Sequence, residues 1–165
     1  MKYHITAPLI VGLILVLSAC GGLDPANVPP PAAMKGTVTF IGGSEAWPDS
    51  AVEQVLVVAF EEEPSSPEEV IAAVLGNTAV FSDTITRYIA SEAYEMEIPG
   101  APRTFKYVVV GMQNGPSLLT DWLMLDVYST TGDPSMPSTV QFGVGDTLQI
   151  DFNVDFSNLP PQPFE

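Results

Sequence analysis

The chain has 165 residues, with 20 acidic side chains against five Lys and Arg, a formal net charge of −15 and a single cysteine. This balance excludes nucleic acid as a partner, since phosphate binding needs Lys and Arg clusters that the chain lacks. One cysteine also excludes an internal disulfide, so the fold must rest on its hydrophobic core.

Residues 1–6 form a short positive region around Lys2, and residues 7–17 are an apolar run. That run is too short to span a bilayer of about 30 Å but suits the hydrophobic region of a secretory signal. Leu17-Ser18-Ala19-Cys20, followed by Gly21-Gly22, closes it. The motif resembles the lipobox of bacterial lipoproteins; the alternative is a plain signal peptide, or a buried apolar hairpin, with an incidental cysteine. The resemblance implies cleavage before Cys20, diacylation of its thiol and acylation of the new amino terminus with palmitate-type chains. Several acyl chains make a stable membrane anchor where one does not. Gly21, rather than aspartate, follows the cysteine, which by resemblance to lipoprotein sorting signals implies outer-membrane delivery in a host with two membranes. The expected location is the bacterial cell envelope, with residues 1–19 as signal peptide.

Residues 20–33 contain Pro25, Pro29, Pro30 and Pro31 and little hydrophobic periodicity, which predicts a disordered, semi-stiff spacer. A domain is expected over residues 34–157. Val38 and Phe40 alternate with Thr37 and Thr39, predicting a strand with one buried face. Residues 54–60 are apolar on both faces, as in a central strand. Ser66, Pro67, Glu68, Glu69 and Gly76 are start and stop signals for a short helix over 67–75, with Val70, Ile71, Val74 and Leu75 docking on the sheet. Further strands are predicted at 80–86, 93–98, 104–113 and 122–128. Residues 139–144 and 147–156 are expected to pair as a hairpin around Gly145-Asp146. Residues 158–165 are a Pro-rich tail, expected to be disordered. About seven or eight short strands with one helix predict an all-β fold, a single antiparallel β-sandwich.

Lys35-Gly36-Thr37-Val38-Thr39-Phe40, the Trp47-Pro48 loop and Val57-Val58-Ala59-Phe60 resemble prealbumin-like domains of bacterial surface lipoproteins. Glu97-Ile98-Pro99-Gly100, Phe105 to Val110, Gly132-Asp133-Pro134-Ser135 and Gly145-Asp146-Thr147 extend the resemblance. Such domains are related to transthyretin-like and carboxypeptidase-regulatory-like sandwiches. The resemblance implies a fold and carries no functional residue with it.

After the leader the chain has no histidine and no further cysteine, which removes Ser-His-Asp triads, Cys-His dyads and typical zinc sites. A Ser-Lys dyad would have to recruit Lys35 or Lys106, both placed in predicted strands. Asp151-x-Asn153-x-Asp155 matches the opening of a calcium-binding EF-hand loop, but Phe156 stands where that loop needs glycine and Gln162 where it needs glutamate. On a strand the three side chains share one face about 6.6 Å apart, a spacing suited to a solvated face, so these are weak metal candidates. Trp47, Trp122 and Tyr128, with Tyr88, are candidates for an aromatic ligand platform; packing of Trp122 in the core and of Trp47 across the end of the sandwich accounts for them more simply.

The expected function is a lipid-anchored envelope lipoprotein, attached to the membrane through Cys20, whose sandwich mediates non-catalytic protein or glycan interaction. No catalytic residue and no cofactor are expected. The alternatives are a small surface hydrolase using paired carboxylates and a calcium-stabilised structural spacer.

Overall fold

The computed structural model describes residues 30–48, 52–117 and 120–164, so the leader, Cys20 and most of the Pro-rich spacer lie outside the described residues. Among the described residues ten strands and one α-helix follow in order, with a single 3-10 turn at Gly43–Ala46 after the first strand: β1 (Ala32–Phe40), β2 (Gln54–Phe60), α1 (Pro67–Leu75), β3 (Ala79–Phe81), β4 (Ser91–Ile98), β5 (Arg103–Phe105), β6 (Tyr107–Gln113), β7 (Trp122–Val127), β8 (Val140–Phe142), β9 (Thr147–Gln149) and β10 (Phe152–Val154). One sheet runs β10-β1-β4, with β9 also on β1; a second runs β3-β2-β6-β7, and β5 pairs with β8 alone. The fold is an all-β sandwich, as the strand pattern predicts.

The alternation in β1 and β4 translates directly into layers. Met34, Val38 and Phe40 face the core from β1, and Tyr94, Met96 and Ile98 from β4, while Glu95 and Glu97 stay in solvent. The second sheet answers with Val55, Val57, Ala59, Val108, Val110, Met112 and Leu125. Strand β1 starts two residues before the expected domain boundary, with Ala32 and Ala33 already paired to Ile98 and Glu97.

The expected hairpin around Gly145-Asp146 does not form. Strand β8 pairs with β5, while β9 and β10 run parallel to β1, so the turn passes the chain between sheets and the sandwich is mixed. The 147–156 strand keeps one register along β1, with Lys35 opposite Gln149 and Val38 opposite Phe152. It is interrupted at Ile150 and Asp151, where the Asp151 carboxylate takes the Thr37 N–H at 2.8 Å in place of a backbone carbonyl. The predicted 80–86 strand likewise stops at Phe81, because the Ser82 hydroxyl accepts the Val57 N–H. The predicted 104–113 strand divides at Lys106, whose N–H turns to the Phe60 carbonyl.

Helix α1 begins as expected, with the Ser66 side chain accepting the Glu69 N–H and Pro67 in the first turn. Ser65 donates to Glu69 from both backbone and hydroxyl, which holds that carboxyl below its ordinary range. The docking face differs from expectation. Val70 and Ala73 pack on the sheet, whereas Val74 is 41 % and Leu75 78 % exposed. Val70 and Ala73, three apart, share one helix face, and Leu75, five and two residues beyond them, points away from it.

The C-terminal segment is not a disordered tail. Leu159 packs against the main core, and the Gln162 side chain lies along the free edge of β7. Its Oε1 accepts the Met124 N–H at 2.8 Å and its Nε2 donates to the Met124 carbonyl at 3.1 Å. Prolines cannot supply the N–H groups of an added strand; one glutamine amide supplies a donor and an acceptor instead.

Asp126 ties β7 to β10. Its Oδ2 accepts the Asn153 N–H at 2.8 Å and its Oδ1 the Val127 N–H at 2.9 Å. Burial pushes this carboxyl above the ordinary aspartate value of 3.8, against the lowering effect of the two N–H groups. Between the unfolded value and the raised native one, the folded state therefore holds the proton that the unfolded state releases. The contribution of Asp126 to stability accordingly falls as pH rises through that window. We expect the melting temperature of Asp126→Asn relative to wild type to climb as pH is raised from about 4; a difference independent of pH would refute the assignment.

Candidate functional site: an apolar groove on the outer face of the second sheet

Strands β2 and β6 are apolar on both faces, so the second sheet presents a hydrophobic layer away from the core. Val58, Phe60, Ala79, Tyr107, Val109 and Val127 form it, with Leu56 and Met124 packed beside them. Burying such a face requires cover, and the chain supplies two pieces. Helix α1, next in sequence after β2, brings Pro67, Val70 and Ile71 over one side, and the C-terminal segment brings Pro163 and Phe164 over the other. They leave between them a groove of about 400 Å³, within the size range of small-ligand and peptide-anchor sites.

The floor drops at Gly111. A bulge between Val110 and Gly111 breaks the register with β7, and the absent side chain leaves space beneath the Trp122 ring. A methyl group there would stand 3.5 Å and 3.6 Å from that ring and 3.9 Å from the Met124 methyl carbon, which is ordinary contact. The groove is thus lined here by Val109 and Gly111 of β6, Trp122 and Met124 of β7, and Phe164, which is 39 % exposed.

The charge beside the site is concentrated at one end. Tyr107, only 3 % exposed and tilted against Phe60 with ring centroids 6.3 Å apart, lines the groove. Burial, reinforced by the nearby Glu63 carboxylate, pushes its hydroxyl up to about 12. Pro64 belongs both to the groove and to an adjoining recess that contains Glu61, Glu62, Glu63 and Glu69. Arg103 pairs with Glu61 at 2.8 Å, and Lys106 with Glu62 at 2.6 Å. Those are the ion pairs among the described residues, and Glu63 and Glu68 have no share in them.

The aromatic candidates go to separate places. Trp47 is 7 % exposed and closes one end of the main core against Phe40, Tyr88 and Phe156, with its Nε1–H donating to the Ile89 carbonyl at 2.8 Å. Tyr128 packs against the main core, and Trp122 alone of the three lines the groove. The metal candidates are each engaged locally. Asp151 accepts from Thr37 and Gln149, Asp155 from the Ser157 N–H and hydroxyl, and the Asn153 backbone donates to Asp126. Among the described residues no group of three or more His, Cys, Asp or Glu is placed to hold a metal ion. Cys20 lies outside the described residues.

The groove is not among the features that the sequence pattern predicts. Its signal was present in the two-faced apolarity of β2 and in Tyr107 to Val110, which require a covered outer face; that the cover would be incomplete could not be read from the pattern. No protein-family model, curated protein or solved structure matches this chain.

Proposed function

We propose that the protein is a lipid-anchored envelope lipoprotein whose sandwich binds a protein or glycan partner, without catalysis, through the groove on its second sheet. The observation that carries this reading is the groove itself, an apolar concavity of about 400 Å³ with Trp122 and Tyr107 in its lining. Large aromatic side chains with one polar end are the usual anchors of recognition sites. The leader ending in Leu17-Ser18-Ala19-Cys20 supports the membrane attachment, and the resemblance to prealbumin-like lipoprotein domains agrees with both. A non-catalytic role is supported by Asp126: burial rather than a facing carboxylate raises it, and both its oxygens are occupied by backbone N–H groups.

The test is cross-linking in intact cells. A photo-reactive residue at exposed Thr120, on the groove's rim, is expected to give a discrete adduct in the membrane fraction. Gly111→Leu, which fills the floor, should abolish the adduct, and Cys20→Ser should move the protein out of the membrane fraction. An adduct indifferent to Gly111→Leu would remove the groove from the reading, and unchanged membrane retention of Cys20→Ser would remove the anchor.

A further inference from the structure

Resting on that reading of the groove, we propose that its occupant is a peptide segment carrying an aliphatic or aromatic anchor beside lysine or arginine. Two features of the site select this chemistry. The lining is mostly hydrocarbon, with Thr120, the Tyr107 hydroxyl and the Trp122 indole N–H as its polar side-chain groups. A sugar can lay a C–H ring face on an aromatic side chain, but the hydroxyls around its rim would be left largely unpaired against Phe60, Val109 and Met124, at a cost for each. A hydrophobic side chain loses nothing there. The second feature is the charge beside the mouth. Glu61, Glu62, Glu63 and Glu69 share the adjoining recess through Pro64, and Glu68 follows Pro67 of the groove wall. The two basic residues at this end, Arg103 and Lys106, are already committed to Glu61 and Glu62. Glu63 shares its recess with Pro64 of the groove wall, and its charge is felt at the Tyr107 hydroxyl, so negative charge lies beside the anchor pocket. Complementary charge at that distance steers encounter and selects partners.

Tyr107 adds a directional contact. Its hydroxyl has no hydrogen-bond partner among the described residues, and like any phenol it is protonated at neutral pH, burial and Glu63 raising it further. It can therefore donate to a peptide carbonyl while the neighbouring glutamates hold the cation.

The experiment is fluorescence polarisation with the full chain and three labelled probes. These are an octapeptide with a Phe-Leu pair flanked by lysines, its glutamate-flanked counterpart, and an uncharged glucan hexasaccharide. The lysine peptide is expected to bind about tenfold or more tighter than the glutamate peptide at low salt. The margin should shrink as ionic strength rises toward 0.5 M, where screening shortens the reach of the rim charges to a few ångströms. Glu63→Gln should weaken the lysine peptide about threefold, leaving the glutamate peptide unchanged or improved. Gly111→Leu should abolish peptide binding; Trp122→Ala, which alters the groove from its other side, provides an independent check if the first variant folds poorly. Equal affinity for the two peptides overturns the basic partner and leaves the groove standing. Binding of the glucan alone, lost in Gly111→Leu, overturns the peptide class and again leaves the groove standing. Peptide binding untouched by both groove variants overturns the site itself.

Discussion

Gly36→Ala is expected to cost the domain about 3 kcal/mol, a large share of the 5–15 kcal/mol that holds a typical domain together. A methyl group on Gly36 would lie 1.7 Å from the Ile150 carbonyl oxygen and 2.6 Å from its carbon. Both are backbone atoms, so neither can rotate away as the tip of a side chain would. Relief requires moving the strand that continues β9 into β10, and that strand is fixed on both sides. The Ile150 N–H donates to the Lys35 carbonyl at 2.8 Å, and the Ile150 carbonyl accepts the Tyr94 hydroxyl at 2.8 Å. Tyr94 lies opposite Gly36 in the β1–β4 ladder, so glycine on one strand makes room for the carbonyl that the tyrosine on the other holds. Burial, with Asp151 adding to it, raises the Tyr94 hydroxyl far above its ordinary value, keeping it a donor at any working pH. The usual gain from Gly→Ala, about 0.4–1 kcal/mol through a stiffer unfolded chain, has the opposite sign and is outweighed. Urea denaturation would measure the loss. Tyr94→Phe should cost less in the Gly36→Ala background than alone, because the shifted carbonyl has already lost its donor. A penalty below about 1 kcal/mol for Gly36→Ala would contradict the geometry.

Trp47→Ala is expected to cost about 3–5 kcal/mol, the range for removing a large buried aromatic side chain. The Trp47 ring lies 4.4 Å from Phe40, 5.2 Å from Phe156 and 5.4 Å from Tyr88 between centroids. Phe40 is the last residue of β1, Phe156 follows β10, and Tyr88 belongs to the connection before β4, so one indole joins three segments at the end of the sandwich. Trp47→Phe keeps most of the packing and loses the Nε1–H bond to the Ile89 carbonyl, a difference of about 1 kcal/mol. Thermal unfolding of the two variants separates packing from hydrogen bonding. A variant that melted like wild type while losing ligand affinity would return Trp47 to the role of ligand platform.

Much of this architecture is legible in the chain because the physics is local. The alternation of Tyr94, Met96 and Ile98 with Glu95 and Glu97 decides which side of β4 is buried, whatever its partners. Ser66 and Pro67 start the helix within a single turn. Three departures from the pattern share a different cause: a backbone group is satisfied by a side chain distant in sequence. Thr37 is paired by Asp151, Val57 by Ser82, and Met124 by Gln162, and in each case a side chain replaces a strand carbonyl or an added strand. Alternation of apolar residues carries no information about such substitutions.

What the sequence determines by itself is therefore the all-β class, the helix and its cap, the inward faces of β1 and β4, and the acidity that surrounds them. It also determines that β2 and β6 must be covered on both sides, since two apolar faces cannot both be left in water. The tertiary structure decides what covers them. Helix α1 and the segment ending at Phe164 meet the outer face without closing over it, and Gly111 lowers the floor between them. A groove is a difference between the area a sheet exposes and the area its neighbours can reach. That difference depends on how elements far apart in sequence are placed in space, which no local pattern of residues records.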